Sequence, residues 1–313
     1  MIMISLEIIS VNTSKEKGTA KKPVDSIELT YEGIVGDAHA GKWHRQVSLL
    51  SIESILAFSG IMGKSFNYGD FAENITTKGL KLNDAKPGDM LVGCDVELMI
   101  TQIGKKCHGN GCSIYQEVGM CIMPDEGIFA KVIRPGKLKA GDRLEYIHKI
   151  YKIGVITLST RASEGIYADL SGPQIISDME CFSKKTGWSV EFDYHLIPDN
   201  REMLTSILSE MIVSGKDIIF TTGGTGIGPE DFTPEVVKPF LDKEIPGIME
   251  YIRFKYGAEK PNALLSRSIA GLAKESLVFT MPGSKKAVTE YMSEITPMLE
   301  HLIHMKMGLD SHG

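Results

Sequence analysis

The run Lys216-Asp217-Ile218-Ile219-Phe220-Thr221-Thr222-Gly223-Gly224-Thr225-Gly226-Ile227-Gly228-Pro229-Glu230-Asp231-Phe232-Thr233-Pro234-Glu235 decides how this chain folds. Ile218 to Phe220 form a short apolar core that reads as a buried strand. Four glycines then permit a tight turn, and Thr233 with Pro234 signals a helix start through an N-cap and a first-turn proline. Strand, glycine turn and helix make the repeating unit of an α/β sheet. The turn lies at the carboxyl end of its strand, where such sheets bind ligands. The N–H groups of Gly223, Gly224, Thr225 and Gly226, with hydroxyls from Thr221, Thr222 and Thr225, suit an anion. No Gly-Lys-Ser/Thr is present, so this is not a Walker loop. Its acid, Asp231, lies inside the loop, whereas a dinucleotide fingerprint carries one about 20 residues further on. An aspartate beside phosphate-cradling amides suits Mg2+ better than a ribose. The plain alternative is a glycine turn with a solvated aspartate.

Outward from this run the same rhythm continues. Ile153 to Leu158 reads as a buried strand, and Pro173 to Thr186 as a helix with Ile175, Ile176, Met179 and Phe182 on one face, closed by Gly187. Cys181 falls within that helix and is expected in the core. Val190, Phe192, Tyr194 and Leu196 alternate as a strand, and Met203, Ile207, Leu208 and Met211 mark another helix. The expectation is an α/β domain with a mostly parallel sheet over residues 150–313. Asp199 closes one strand just before a helix, where an N-cap is the simplest reading. Ser171-Gly172-Pro173 and Pro282-Gly283-Ser284-Lys285 also stand at helix starts, able either to cap or to meet a phosphate.

Residues 1–149 read differently. Gly36-Asp37, Gly69-Asp70, Gly88-Asp89 and Gly141-Asp142 punctuate short alternating runs such as Val92 to Thr101 and Ile128 to Ile133. Turns this frequent imply an all-β barrel or sandwich, with one helix around Ile52 to Met62. The opening Met1 to Glu7 reads as a strand, not a signal peptide. In 313 residues, 42% are hydrophobic and 24% charged, and no apolar run approaches membrane-spanning length. The net charge of −6 arises wholly after residue 150. No basic face for nucleic acid stands out, although Lys105-Lys106 and Lys285-Lys286 suit a phosphorylated small molecule. Five cysteines, an odd number, argue against a secreted disulfide framework and for a cytoplasmic protein.

Four motifs in the second half carry a resemblance. They are Ser159 to Pro173 (S-T-R-A-S-E-G-I-Y-A-D-L-S-G-P), the glycine-rich run, Leu264 to Gly271 (L-L-S-R-S-I-A-G) and Met281 to Ala287 (M-P-G-S-K-K-A). Over residues 151–307 the chain resembles the molybdopterin adenylyltransferase family. The resemblance implies a small α/β domain that forms a homotrimer and transfers AMP from Mg·ATP to the terminal phosphate of molybdopterin. It implies Asp199 and Asp231 as the catalytic, Mg2+-holding pair, with Thr222, Gly223, Gly224, Thr225, Gly226, Ser171, Gly172, Pro282, Gly283, Ser284 and Lys285 around the substrates. Thr160 departs from the pattern, because many members carry Asp before Arg-Ala-Ser.

In the first half, Gly33 to Gly41, Arg45 to Leu50, Gly69 to Thr77 and Gln102 to His108 resemble the MOSC domain. That resemblance implies a β-barrel-like fold that binds or sulfurates the cofactor, with Cys107 as the sulfur carrier and hand-over to a molybdenum-insertion enzyme. Lys105, Lys106 and His108 beside Cys107 would favour its thiolate. Cys107, His108 and Cys112 with Cys94 or Cys121 leave a zinc site open, and an inert thiol remains the plainest reading. His39, His44 and Arg45 suit an anion pocket. Two rivals stand beside the enzyme: a non-catalytic molybdopterin carrier, and a nucleotide pyrophosphatase of the competence/damage-inducible kind.

Overall fold

The computed structural model describes residues 4–79, 85–105, 115 and 120–309. Contacts divide the chain into two compact units. One runs to Lys149 and takes in the chain again from Met307, and the other is Ile150–Lys306. None of the described helices is long and apolar enough to cross a membrane.

The first unit contains strands β1 (Ile4–Thr13), β2 (Lys22–Val24), β3 (Ser26–Thr30), β4 (Gly33–Ile34) and β5 (Val47–Ser51), then helix α1 (Ile52–Met62). Strands β6 (Ile75–Lys78), β7 (Met90–Val92), β8 (Glu97–Ile103), β9 (Ile128–Arg134), β10 (Gly136–Lys139) and β11 (Arg143–Ile147) follow. Seven of them form a ring in the order β11-β7-β8-β9-β5-β6-β1, closed where Ile4 to Glu7 pair with Tyr146 to Arg143. A register shift between Ile8 and Ser10 lets the long β1 leave β11 and continue along β6 and β2. Closure removes the exposed edges of an open sheet and fills the interior with the inward side chains Leu6, Ile8, Leu91, Leu98, Ile100, Val132 and Leu144. The run Val92 to Thr101, expected as one strand, is a hairpin. Gly93 N–H donates to Val96 O at 2.8 Å, and the polar Cys94-Asp95 pair makes the turn. Helix α1 matches its expected span, because Ser51 accepts from Ser54 N–H at one end and Gly63 turns left-handed at the other.

The second unit contains β12 (Ile150–Leu158), α2 (Ser171–Thr186), β13 (Ser189–Ile197), α3 (Arg201–Val213), β14 (Ile218–Thr222) and α4 (Thr233–Val237). It continues with β15 (Lys243–Glu244), α5 (Pro246–Gly257), β16 (Ala270–Ala273), β17 (Ser276–Met281) and α6 (Lys285–Lys306). The sheet order is β13-β12-β14-β17-β16-β15. The first four strands are parallel; at the edge β16 runs antiparallel to β17, and β15 antiparallel to β16. Strands β14 and β17 are buried throughout, and Phe220 stacks on Phe279 at 5.4 Å across their shared register. Burial of each such ring contributes about 1.5 to 3 kcal/mol. From β12 the chain crosses to β13 on one side, and later places β14 on the other. The carboxyl ends of β12 and β14 therefore flank a topological switch point.

One expectation for this unit fails. Cys181 is exposed. Met179 faces the core, and a residue two positions later lies about 200° further round the helix, toward solvent.

Candidate functional site

At that switch point the α/β unit encloses a cavity of about 730 Å³. It brings together Asp199 from the end of β13, Gly223 to Gly226 and Asp231 from the loop after β14, Ser171, and Pro282 to Lys285 after β17. Thr222 and Gly172 do not line it. Thr222 is buried, and its hydroxyl donates to Pro282 O at 2.8 Å, joining the glycine loop to the β17 turn. A Cβ on Gly172 would lie 2.5 Å from Thr157 Oγ1, so this glycine serves close packing of helix on strand.

The loop's shape needs its first two glycines. Gly223 and Gly224 have φ of +105° and +63°. A Cβ on Gly223 would sit 2.3 Å from Leu158 O, and one on Gly224 would sit 2.5 Å from Thr233 Oγ1. Thr233 does not cap α4, as its position suggested. Its hydroxyl donates to Gly223 O at 2.9 Å and its N–H to Gly224 O at 3.0 Å, so it braces the loop from within.

Arg267 holds the other side of the loop. Its N–H donates to Thr225 O at 2.9 Å, Nε to Gly226 O at 2.6 Å and Nη2 to Asp231 O at 2.6 Å, while Nη1 pairs with Glu235. One guanidinium fork thus fixes the two limbs that carry the glycine-loop amides and the aspartate. Asp231 Oδ2 accepts from Gly228 N–H at 2.8 Å, and no hydrogen bond reaches Oδ1 from the described residues.

Asp199 is not a helix cap. Asn200 performs that task, accepting from Met203 N–H at 2.8 Å. Asp199 Oδ2 instead accepts from the N–H and hydroxyl of Thr160 at 2.8 and 2.9 Å, and Oδ1 has no partner among the described residues. Asp199 and Asp231 thus each bring to the cavity one carboxylate oxygen without a partner among the described residues, beside the glycine-loop amides. Hard oxygen donors of this kind fit Mg2+, which completes its shell with waters and substrate phosphates.

A third carboxylate, Asp169, was not legible as a site residue. It accepts from Ser171 N–H and hydroxyl at 2.8 and 2.7 Å, Gly172 N–H at 3.1 Å, Thr157 hydroxyl at 2.8 Å and Tyr194 hydroxyl at 2.7 Å. The amides expected to meet a phosphate at the start of α2 are thereby occupied from within. Burial works to raise the Asp169 pKa. The hydrogen bonds from Tyr194, Ser171 and Thr157 outweigh it and leave the carboxyl below its ordinary range. Tyr194 is pushed up to about 12, by burial first and by its bond to Asp169 second. An aspartate two residues before a Ser-Gly-Pro helix start is the signal that could have found this cap. The cavity's far wall, with Tyr256, Lys260, Leu265 and Tyr291 from α5, α6 and the segment between them, carried no local signal.

In the barrel unit, Asp37 is buried. It accepts from Lys21 Nζ at 2.5 Å, His39 N–H at 2.9 Å, Ser14 N–H at 3.1 Å and Asn74 Nδ2 at 3.1 Å. Burial would raise its pKa, but the bonds from His39 and Lys21 prevail and hold it well below the carboxylate range. His39 stacks on Trp43 at 6.4 Å, Arg45 lies 5.0 Å from the same ring, and His44 Nε2 contacts Gln102 Oε1 at 3.1 Å. The three residues expected to line an anion pocket thus gather around one indole. Cys107, Lys106, His108 and Cys112 lie outside the described residues. Cys94 is exposed and Cys121 half-buried, and no group of three or more metal-ligating side chains occurs among the described residues.

Fold and cavity together define an α/β unit with a glycine-loop cavity at a switch point, in one chain with a closed β-barrel unit. A family model described as "Probable molybdopterin binding domain" matches residues 154–301, and the MOSC domain model matches residues 36–145. Gephyrin from Dictyostelium discoideum is 36% identical over 157 residues, covering 48% of this chain and 22% of that protein. A molybdopterin adenylyltransferase from Helicobacter pylori strain J99 is 35% identical over 157 residues, covering 50% of this chain and 88% of that protein. The tungsten cofactor synthesizing protein MoaB from Pyrococcus furiosus is 34% identical, with 52% of this chain and 99% of that chain covered at a TM-score of 0.45. The chain belongs to the molybdopterin-binding family of molybdenum cofactor biosynthesis proteins, and carries a MOSC domain ahead of that region.

Proposed function

We propose that the α/β unit transfers AMP from ATP to the terminal phosphate of molybdopterin. An oxygen of the pterin phosphate attacks the α-phosphorus, the bond to the bridging oxygen breaks, and pyrophosphate leaves. The observation that carries this reading is the convergence of Asp199, Asp231 and the glycine loop on one cavity. The relatives named above support an enzyme role in molybdenum cofactor synthesis. Phosphoryl-type transfer depends on positioning and charge neutralisation more than on covalent help from the protein. Gly223, Gly224, Thr225 and Gly226 would cradle phosphates through their amides, and Ser284 and Lys285 would meet the pterin phosphate or the triphosphate. Asp199 and Asp231 would hold Mg2+ through their uncommitted oxygens. When bound, Mg2+ supplies charge neutralisation at the phosphates.

The barrel unit would bind or sulfurate the cofactor, with Cys107 as the sulfur carrier, and the α/β unit would form a homotrimer that hands its product to a molybdenum-insertion enzyme. Mass spectrometry for a persulfide on Cys107 tests the first of these, and light scattering the second.

The deciding experiment is pyrophosphate release from ATP and Mg2+, with and without molybdopterin, in wild type and Asp231→Ala. Pterin-dependent release that falls about a hundredfold or more in the variant is the expected result. Tight pterin binding without pyrophosphate would make the protein a carrier. Nucleotide turnover that ignores the pterin would favour a nucleotide pyrophosphatase.

A further inference from the structure

We propose that Thr160 is a positioning residue for Asp199, fixing one carboxylate oxygen so that the other stays available to the cavity; the inference rests on the adenylyl-transfer reading. Thr160 opens a single helical turn, Thr160–Ser163, directly after β12. That turn is capped by Ser159, whose Oγ accepts from Ala162 N–H at 3.2 Å. The Thr160 hydroxyl is therefore not needed for capping and reaches across to the end of the neighbouring strand. There it donates to Asp199 Oδ2 at 2.9 Å and accepts from Asp199 N–H at 3.0 Å, while the Thr160 N–H donates to the same Oδ2 at 2.8 Å.

A hydroxyl carries one proton and two lone pairs, so donation to the carboxylate and acceptance from the amide occur together and determine its rotor. The two residues lie 39 apart in sequence, and these three bonds tie the loop after β12 to the end of β13. Asp199 lines the cavity and Thr160 does not. Thr160 thus acts through Asp199 and not on a substrate. An aspartate at 160, ionised, has no proton to donate to Oδ2, and it would set a second negative charge against the first. Threonine gives this chain a neutral clamp at that point. Where transfer depends on alignment, a small displacement of one carboxylate lowers the rate more than it lowers binding.

The test is a double-mutant cycle on the full chain with Thr160→Val, Thr160→Ser, Asp199→Asn and Thr160→Val/Asp199→Asn. It is read by kcat and KM for pyrophosphate release, and by calorimetric titration of Mg·ATP, which needs no turnover. Thr160→Val should lower kcat about tenfold while KM for molybdopterin moves less than about twofold. Thr160→Ser keeps the hydroxyl and should stay within about twofold of wild type, which excludes a role in fold alone. In both readouts the double variant should be no worse than Asp199→Asn, the mark of two residues acting as one unit. Additive losses, or a Thr160→Ser defect as deep as that of Thr160→Val, overturn the proposal. If wild type releases no pyrophosphate, the adenylyl-transfer reading fails on its own. The calorimetric cycle still decides Thr160, because additivity there overturns the clamp and non-additivity upholds it.

Discussion

The starts of α2 and α3 stand close to the same cavity, each preceded by an aspartate, and they use it in opposite ways. Before α2, Asp169 takes five hydrogen bonds and, from one residue ahead of the N-cap Leu170, satisfies the first-turn amides of Ser171 and Gly172. Before α3, Asn200 takes the cap and leaves Asp199 a carboxylate oxygen without a partner among the described residues. A helix start can satisfy a carboxylate or release it for a ligand. The neighbouring residue that accepts the first-turn N–H decides which.

The largest effect is expected at the loop shared by both. Gly223→Ala adds a Cβ 2.3 Å from Leu158 O at a φ of +105°, so either the loop or the β12 end must shift. Thermal unfolding should show a loss of about 2 kcal/mol or more, and Mg·ATP binding should disappear in calorimetry. An unchanged melting temperature would mean that the loop relaxes freely and that its curvature does not organise the site.

Next comes the occupied helix start. Asp169→Asn should destabilise the protein by about 1 kcal/mol near neutrality, the magnitude of a lost N-cap. The Asp169 pKa is depressed in the fold, so its contribution is present above the ordinary carboxyl range and is lost as pH falls through that range toward the folded value. The difference between wild type and variant, followed by denaturant unfolding, should be constant from pH 6 to 8 and shrink below about pH 4. Tyr194, held at about 12, gives the opposite sign: its contribution is lost between about pH 10 and 12, and Tyr194→Phe should flatten that limb.

Asn200→Ala sharpens the comparison directly. Removing the cap of α3 costs about 1 kcal/mol, and it exposes first-turn amides that compete for the neighbouring carboxylate of Asp199. Pyrophosphate release should fall about tenfold, more than that loss of stability explains in a protein still folded at the assay temperature. Equal activity in variant and wild type would show that Asp199 keeps its place without Asn200. The smallest effect belongs to Cys181→Ser on α2, within about 0.5 kcal/mol of wild type, because the side chain is exposed. The native protein should lose one reactive thiol to an aqueous thiol reagent in that variant, and a thiol that reacts only after unfolding would contradict the exposure.

What the residues revealed by themselves was much of what depends on neighbours in sequence. Apolar periodicity marked β14 and the face of α2. Glycines and prolines marked the loop after β14 and the turns of the barrel, and the change of rhythm near Lys149 separated two kinds of architecture. The glycine loop and Asp231 were legible in one short run, whereas the residues around Asp199 suggested a helix cap and only the family resemblance pointed to a site role. What only the tertiary structure decided were pairings between distant segments. Arg267 bonds to loop carbonyls up to 42 residues away, Tyr194 to a carboxylate 25 away, and Thr160 to one 39 away. The barrel closes by pairing Ile4 with Tyr146. Period and turn chemistry are local, so a sequence carries them directly. Whether a polar group is satisfied from within or left for a ligand depends on which remote atoms the sheet brings within about 3 Å, and that is settled only when the chain is folded.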